Sequence, residues 1–215
     1  MEFSTMLSTM VPGMLRACGI FLLTLLGALP LGMIVALLKK SRFFVVRAVI
    51  EAYIAIIRGT PLVLQLLAWY FGPFYLFGMR IDGWRFPALI IGFILNYAAY
   101  FAEIYRGGIE SIPVGQYEAA EVLGYNKTQT FMRIILPQVV KRIMPSITNE
   151  VITLVKDTSL AFTLAYSEVF AIAKQISASQ TSFTPFVIAA VFYFVANYVV
   201  AFIMSRVEKA MDYYK

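Results

Sequence analysis

Asn149, Glu150, Lys156, Asp157, Thr158 and Ser159 are polar residues set in a mostly apolar stretch, from about 143 to 166, that is long enough to cross a bilayer. An ionisable side chain in lipid is costly, so by default it has a function. Lys156 offers a cation to a carboxylate, and Asp157 offers an acceptor to an ammonium or a basic side chain. Thr158 and Ser159 add hydroxyls at a point where the helix can unwind. Neighbours on a helix point about 100° apart, so Lys156 and Asp157 do not neutralise each other face to face. The same pair also suits a structural use, as helix-end charges or as partners for charges on other helices. A second polar set is Asn96, Tyr97, Tyr100 and Glu103. Asn96, Tyr100 and Glu103 fall at i, i+4 and i+7 and share one helix face, a candidate pore lining. The tyrosines equally suit packing or an interface. A third set, Arg58, Thr60 and Gln65, flanks a proline break, and Arg58 equally suits an interfacial position reached by snorkelling.

Composition sets the environment of these residues. The chain has 215 residues, 60% of them apolar, and a mean hydropathy of +0.78. These values describe an integral membrane protein built from helices. With no histidine and the single cysteine Cys18, neither a transition-metal site nor a histidine-dependent triad is expected. No GxxxxGK[ST] sequence is present, so ATP hydrolysis is not expected of this chain. The sequence begins MEFSTM, with an acid where a signal peptide has a basic region, and its first apolar run is too long for a signal core. That start is expected to be a retained transmembrane helix.

A span needs roughly 20 residues for a hydrocarbon core of about 30 Å. Five windows satisfy this: about 14–38, 45–71, 86–105, 143–166 and 185–205, with Pro61 disturbing the second. Lys39, Lys40, Arg42, Arg47, Arg106, Lys127, Arg133, Lys141, Arg142, Arg206, Lys209 and Lys215 fall on one side, 12 of the 18 basic residues. Opposite them are Arg80, Arg85 and Lys174, with Arg16 near the start of the first span. The excess of Lys and Arg on one side predicts an N-terminus outside, a C-terminus in the cytoplasm, and residues 107–140 in the cytoplasm. Such a distribution accounts for the basic charge without nucleic acid.

That cytoplasmic segment includes EAAEVLGYNKTQTFMRIILP, residues 118–137. Ala119, Val122 and Leu123 fit a short amphipathic helix that Gly124 ends. A second helical segment runs from about Thr128, with Phe131, Ile134, Ile135 and Val139 on one face and Pro137 shaping the approach to the next span. From periodicity alone, a hairpin lying on the membrane surface fits as well. The fixed positions Glu118, Ala119, Ala120, Gly124, Ile134, Leu136 and Pro137 resemble the EAA loop of bacterial ATP-binding-cassette (ABC) importer permeases. RGTPLVLQL (58–66), NYAAYFAEIYRGGIESIPVGQYEAA (96–120) and ITLVKDTSLA (152–161) resemble the polar amino-acid uptake branch, which includes histidine, glutamine, arginine and cystine permeases. The resemblance covers roughly residues 11–210.

This resemblance implies one permease domain over 1–215, with a coupling helix between spans 3 and 4. It implies two cytoplasmic ATPase subunits carrying ATP and Mg, a second permease copy or a sister permease, and an extracytoplasmic amino-acid-binding protein. The chain itself would bind no cofactor. Glu118 would make a charged contact with the ATPase, the alanines would allow close approach, and Tyr125 would anchor the contact just past the turn. The substrate would be a polar amino acid, whose carboxylate and ammonium match Lys156 and Asp157. Two other classes compete with this reading. An intramembrane enzyme would use Glu103, Glu150 or Asp157 as acid and base, but the carboxylates are scattered and the coupling-type loop would have no purpose. A passive oligomeric channel would also use the polar faces.

Overall fold

The computed structural model describes residues 2–79 and 82–211, so Arg80 and Lys215 of the charge pattern lie outside the described residues. All regular structure among those residues is helical. In chain order the α-helices are α1 (Phe3–Lys39), α2 (Phe44–Gly59), α3 (Leu62–Phe77), α4 (Arg85–Glu110), α5 (Val114–Val122), α6 (Lys127–Gln129), α7 (Leu136–Asp157), α8 (Val169–Gln180) and α9 (Thr184–Ala210). A π-helical turn, Thr130–Ile135, joins α6 to α7, and a 3-10 segment, Thr158–Leu164, follows α7.

α1, α4 and α9 are each long and apolar enough to cross a bilayer. The expected second span is instead two helices, α2 and α3, that meet at 114° and pass the same test only as a pair. Pro61 is the cause, because it has no N–H to donate and it holds the preceding residue extended; Thr60 sits at φ −124°, ψ 149°. α7 has the length to cross, at 22 residues, but carries Lys141, Arg142, Glu150, Lys156 and Asp157.

Helix α1 begins at Phe3, well before the expected residue 14, because its first turns have their own partners. Met6 and Met10 pack with Val169, Ile172, Ala173, Ile188 and Ala189 of α8 and α9 in a small apolar cluster. Along the rest of α1 the buried face runs through Gly13, Ala17, Ile20, Thr24, Ala28 and Gly32. Small residues one turn apart let two helices approach closely in a medium that provides no hydrophobic drive. A Cβ on Gly32 would lie 2.8 Å from the Cβ of Phe101 and 3.1 Å from the carbonyl of Ala98, so α1 lies directly against α4 there. Helix α4 is the centre of the main core. Leu89, Phe93, Tyr97, Phe101 and Tyr105 pack with Leu66 of α3 and with Ile143, Ile147, Val151 and Leu154 of α7. By contrast, α9 shows apolar side chains outward at Val191, Phe194, Val195, Tyr198 and Phe202.

Helix α8 has no counterpart in the five windows, since at 12 residues it is too short for a span-length search to find. Glu168 starts it. Its carboxylate is wholly buried and accepts from the N–H groups of Phe170 (2.6 Å) and Ala171 (2.7 Å) and from the Tyr193 hydroxyl (2.8 Å). Two arginines hold the approach to it, Arg16 donating to the carbonyl of Ser167 and Arg85 to that of Ala165.

Candidate functional site

Where the α2–α3 break meets α4 and α7 there is a cavity of about 200 Å³. Thr60 and Leu62 line it from the break, Asn96, Tyr97 and Tyr100 from α4, and Glu150, Thr153 and Asp157 from α7.

Gln65 braces the break. Its amide donates to the carbonyls of Ile57 (2.8 Å) and Thr60 (3.0 Å), which the interrupted helix leaves without partners, and to the Thr60 hydroxyl. Its own oxygen accepts from Asn96 at 2.9 Å. Gln65 is therefore a strut behind the cavity wall, and Asn96 both lines the cavity and ties that strut to α4. On the opposite wall the Tyr97 hydroxyl donates to Asp157 at 2.7 Å, joining α4 to the last residue of α7. Tyr53 of α2 secures the same region by donating to the carbonyl of Leu95 at 2.5 Å.

The cavity takes one member of the expected set Lys156, Asp157, Thr158 and Ser159. Asp157 faces it, whereas Lys156 is exposed elsewhere. Thr158 is buried against Cys18, Phe21 and Val155 in a separate small apolar space and donates to the carbonyl of Val155. Ser159 donates to the carbonyl of Lys156. At a tightening helix end successive side chains fan out, so four consecutive residues cannot all point into one cavity. Glu150 and Thr153 take the places of the other three, and the signal for them was their spacing from Asp157 of seven and four residues, one face of a helix.

Glu103 shares the face of Asn96 and Tyr100 yet lies outside the cavity. Its carboxylate meets Lys39 of α1 at 2.6 Å, Arg106 at 2.9 Å and Arg58 of α2 at 3.7 Å. Arg58 also lies over the ring of Tyr100, 5.4 Å from its centre, so this charged knot borders the cavity through an aromatic ring. Burial of Glu103 is compensated by cations from three elements, which accounts for an acid at this position without a ligand.

A second feature is the projecting knob formed by α5 and the turn after it. Gly124 sits at φ +77°, the Tyr125 N–H bonds the carbonyl of Ala120, and the Gly124 N–H bonds that of Glu121, a Schellman ending. Asn126 then caps the next helix reciprocally with Gln129. The expected face Ala119, Val122 and Leu123 is not the packed one. Ala120 turns inward, and Val122 (87% exposed) and Leu123 (72%) stand out together with Glu118. Tyr125 is half-buried, while Ile135 and Val139 are buried and Phe131 and Ile134 pack beside them. Leu136 and Pro137 lie at the start of α7, and the π turn before them puts the Leu136 N–H on the carbonyl of Phe131. The widened turn accommodates Pro137, which has no N–H of its own. From Lys127 to Asp157 the chain is thus helical without a gap, running from the knob to the cavity.

Known proteins share the sequence pattern and the fold. Residues 28–213 match the family described as the inner membrane component of binding-protein-dependent transport systems. The chain is 34% identical to a putative glutamine transport system permease protein of Rickettsia bellii, over 98% of this chain and 96% of that one. It is 38% identical to an arginine transport system permease protein of Bacillus subtilis, over 84% and 82%. Its structure resembles a chain of a crystallised amino acid ABC transporter, with a TM-score of 0.87, 31% identity, and 98% and 99% of the two chains covered. A methionine ABC transporter chain shares the fold at a TM-score of 0.72 and 19% identity. With the family matched over most of its length and apolar helices fit to cross a bilayer, this chain is a multi-pass membrane protein of the binding-protein-dependent transport inner membrane component family.

Proposed function

We propose that this chain is the membrane-spanning permease subunit of an ATP-driven importer that moves a polar amino acid into the cell by alternating access. The observation that carries the reading is the unbroken helical path from Lys127, at the base of the Gly124 knob, to Asp157 at the cavity wall. A push on the knob displaces a stiff rod, and the far end of that rod bears the polar groups of the cavity. In this reading the chain crosses a bacterial plasma membrane five times, with α2 and α3 forming one broken crossing and α7 with its 3-10 extension the fourth. The basic end, including α5 and the C-terminus, faces the cytoplasm.

Two ATPase subunits receive the knob, one on each of two permease copies or sister permeases, and an external binding protein delivers substrate. Exposed Glu118, Val122 and Leu123 supply a mixed charged and apolar docking surface, and Tyr125 supports the turn from behind. In the cavity Asp157 and Glu150 accept from the substrate ammonium, Thr60, Asn96 and Thr153 offer neutral hydrogen bonds, and Tyr97 fixes the Asp157 carboxylate.

Two measurements test the reading. The chain copurified with its ATPase and reconstituted in vesicles should accumulate labelled amino acid only with ATP; uptake undiminished without the ATPase would favour a passive channel. Asp157→Asn should lower uptake by roughly tenfold, the loss of about 1.4 kcal/mol from one charged contact, with assembly intact. Unchanged kinetics for every amino acid tested would return Asp157 to a purely structural role.

A further inference from the structure

We propose that the groove between α5 and α7 holds the headgroup of an anionic phospholipid. The groove has a volume of about 710 Å³, more than three times that of the cavity beside Asp157. Among the described residues its charged lining consists of Arg133, Lys141 and Arg142. Gln116 and Gln138 bridge its two walls, the Gln138 amide donating to Gln116 at 3.1 Å and to the carbonyl of Ile134 at 2.9 Å. Arg142 is held in place by a hydrogen bond to the carbonyl of Ser111, just past the end of α4. The three cations are thus mounted on braced elements.

The pairing of cations with apolar surface points to lipid. Lys141 and Arg142 stand on the groove side of α7, immediately before Ile143 and Ile147, which are buried in the core. Ile134, Pro137 and Pro145 complete the groove with apolar surface. Cations beside an apolar wall match a phosphate joined to a glycerol and its acyl chains. A soluble phosphate would use the charges and leave the apolar wall idle. The ligand's role would be to brace α5 against α7, and so stiffen the joint between the knob and the long helix.

The experiment is native mass spectrometry of the purified full-length chain in detergent, alone and assembled with its ATPase, titrated with phosphatidylglycerol or phosphatidylcholine. Phosphatidylglycerol should bind more tightly in both preparations. Arg133→Gln with Arg142→Gln should weaken it by about 25-fold, roughly fivefold for each charge removed. Arg133→Lys with Arg142→Lys should retain most of the binding, which separates loss of charge from loss of fold. Arg47→Gln, on α2 away from the groove, should have no effect. Equal weakening by Arg47→Gln would overturn the proposal in favour of diffuse attraction. Displacement of the lipid by millimolar-range inorganic phosphate would overturn it in favour of a small-anion site. Loss of the lipid on assembly with the ATPase would overturn it in favour of a subunit interface. The measurement involves no transport, so its result stands apart from the importer reading.

Discussion

Replacing Glu103 with glutamine keeps the shape of the side chain and removes its charge. The Glu103 side chain is 15% exposed, and Lys39, Arg106 and Arg58 around it are 20%, 31% and 44% exposed. Exposed ion pairs contribute about 0.2–1 kcal/mol, whereas breaking a fully buried pair costs about 3–5 kcal/mol. This carboxylate lies between those limits, and its loss leaves three cations converging from α1, α2 and α4. A destabilisation of about 2–3 kcal/mol is expected. For a chain of this size, at about 2–4 °C per kcal/mol, the unfolding midpoint should fall by about 4–12 °C. The assay is thermal unfolding of the purified chain in detergent, followed by the loss of monodisperse protein. Glu110→Gln is the control: Glu110 pairs with Arg106 on the exposed side of α4, where about 0.5 kcal/mol is at stake. If Glu103→Gln melts no lower than Glu110→Gln, the knot does not hold the three helices together and the reasoning fails.

Other consequences can be read from single positions. Gly32→Ala places a methyl 2.8 Å from the Cβ of Phe101 and 3.1 Å from the carbonyl of Ala98, and should destabilise by about 1–3 kcal/mol. Gly19→Ala meets nothing within 4 Å and should not destabilise; the same melting assay compares them. Gly124→Val strains a turn at φ +77° by about 1–2 kcal/mol with open space around the new Cβ, so ATP-driven uptake should fall while membrane insertion persists. Normal uptake by that variant contradicts a coupling role for the turn. Glu168→Ala orphans the N–H groups of Phe170 and Ala171 and the Tyr193 hydroxyl, at a cost of about 2 kcal/mol, and should speed amide exchange at the start of α8. Unchanged exchange there assigns the anchoring of α8 to its apolar contacts alone.

Local patterns made much of this molecule legible in advance. The spans at α1, α4 and α9 follow from runs of apolar residues, because lipid leaves a chain of that composition no alternative to the helix. The proline break, the Gly124 ending and the order of the knob segments follow from φ preferences that neighbours do not change. Local pattern does not fix which side of a helix meets another element. Val122 and Leu123 have the spacing of a packed face but stand exposed, since α5 is rotated so that Ala120, and not its equally small neighbour Ala119, faces the elements beneath it. Helix α8 is not legible locally, because a dozen residues capped by a buried acid leave no span-length signal.

The candidate site divides along the same line. Sequence alone determined that this is a helical membrane protein, which family pattern it carries, and that Asp157, Asn96 and Glu103 are unusual for lipid, because the cost of burying such groups depends on residue type. Only tertiary structure decided that Asp157 faces Tyr97 and the cavity while Lys156 points away, that Gln65 is a strut, and that Glu103 is spent on Lys39, Arg58 and Arg106. The reason is physical. A buried charge must find partners, but which ones it finds is set by helix rotation and close approach, and those depend on residues such as Gly32 and Pro61 far away in the chain.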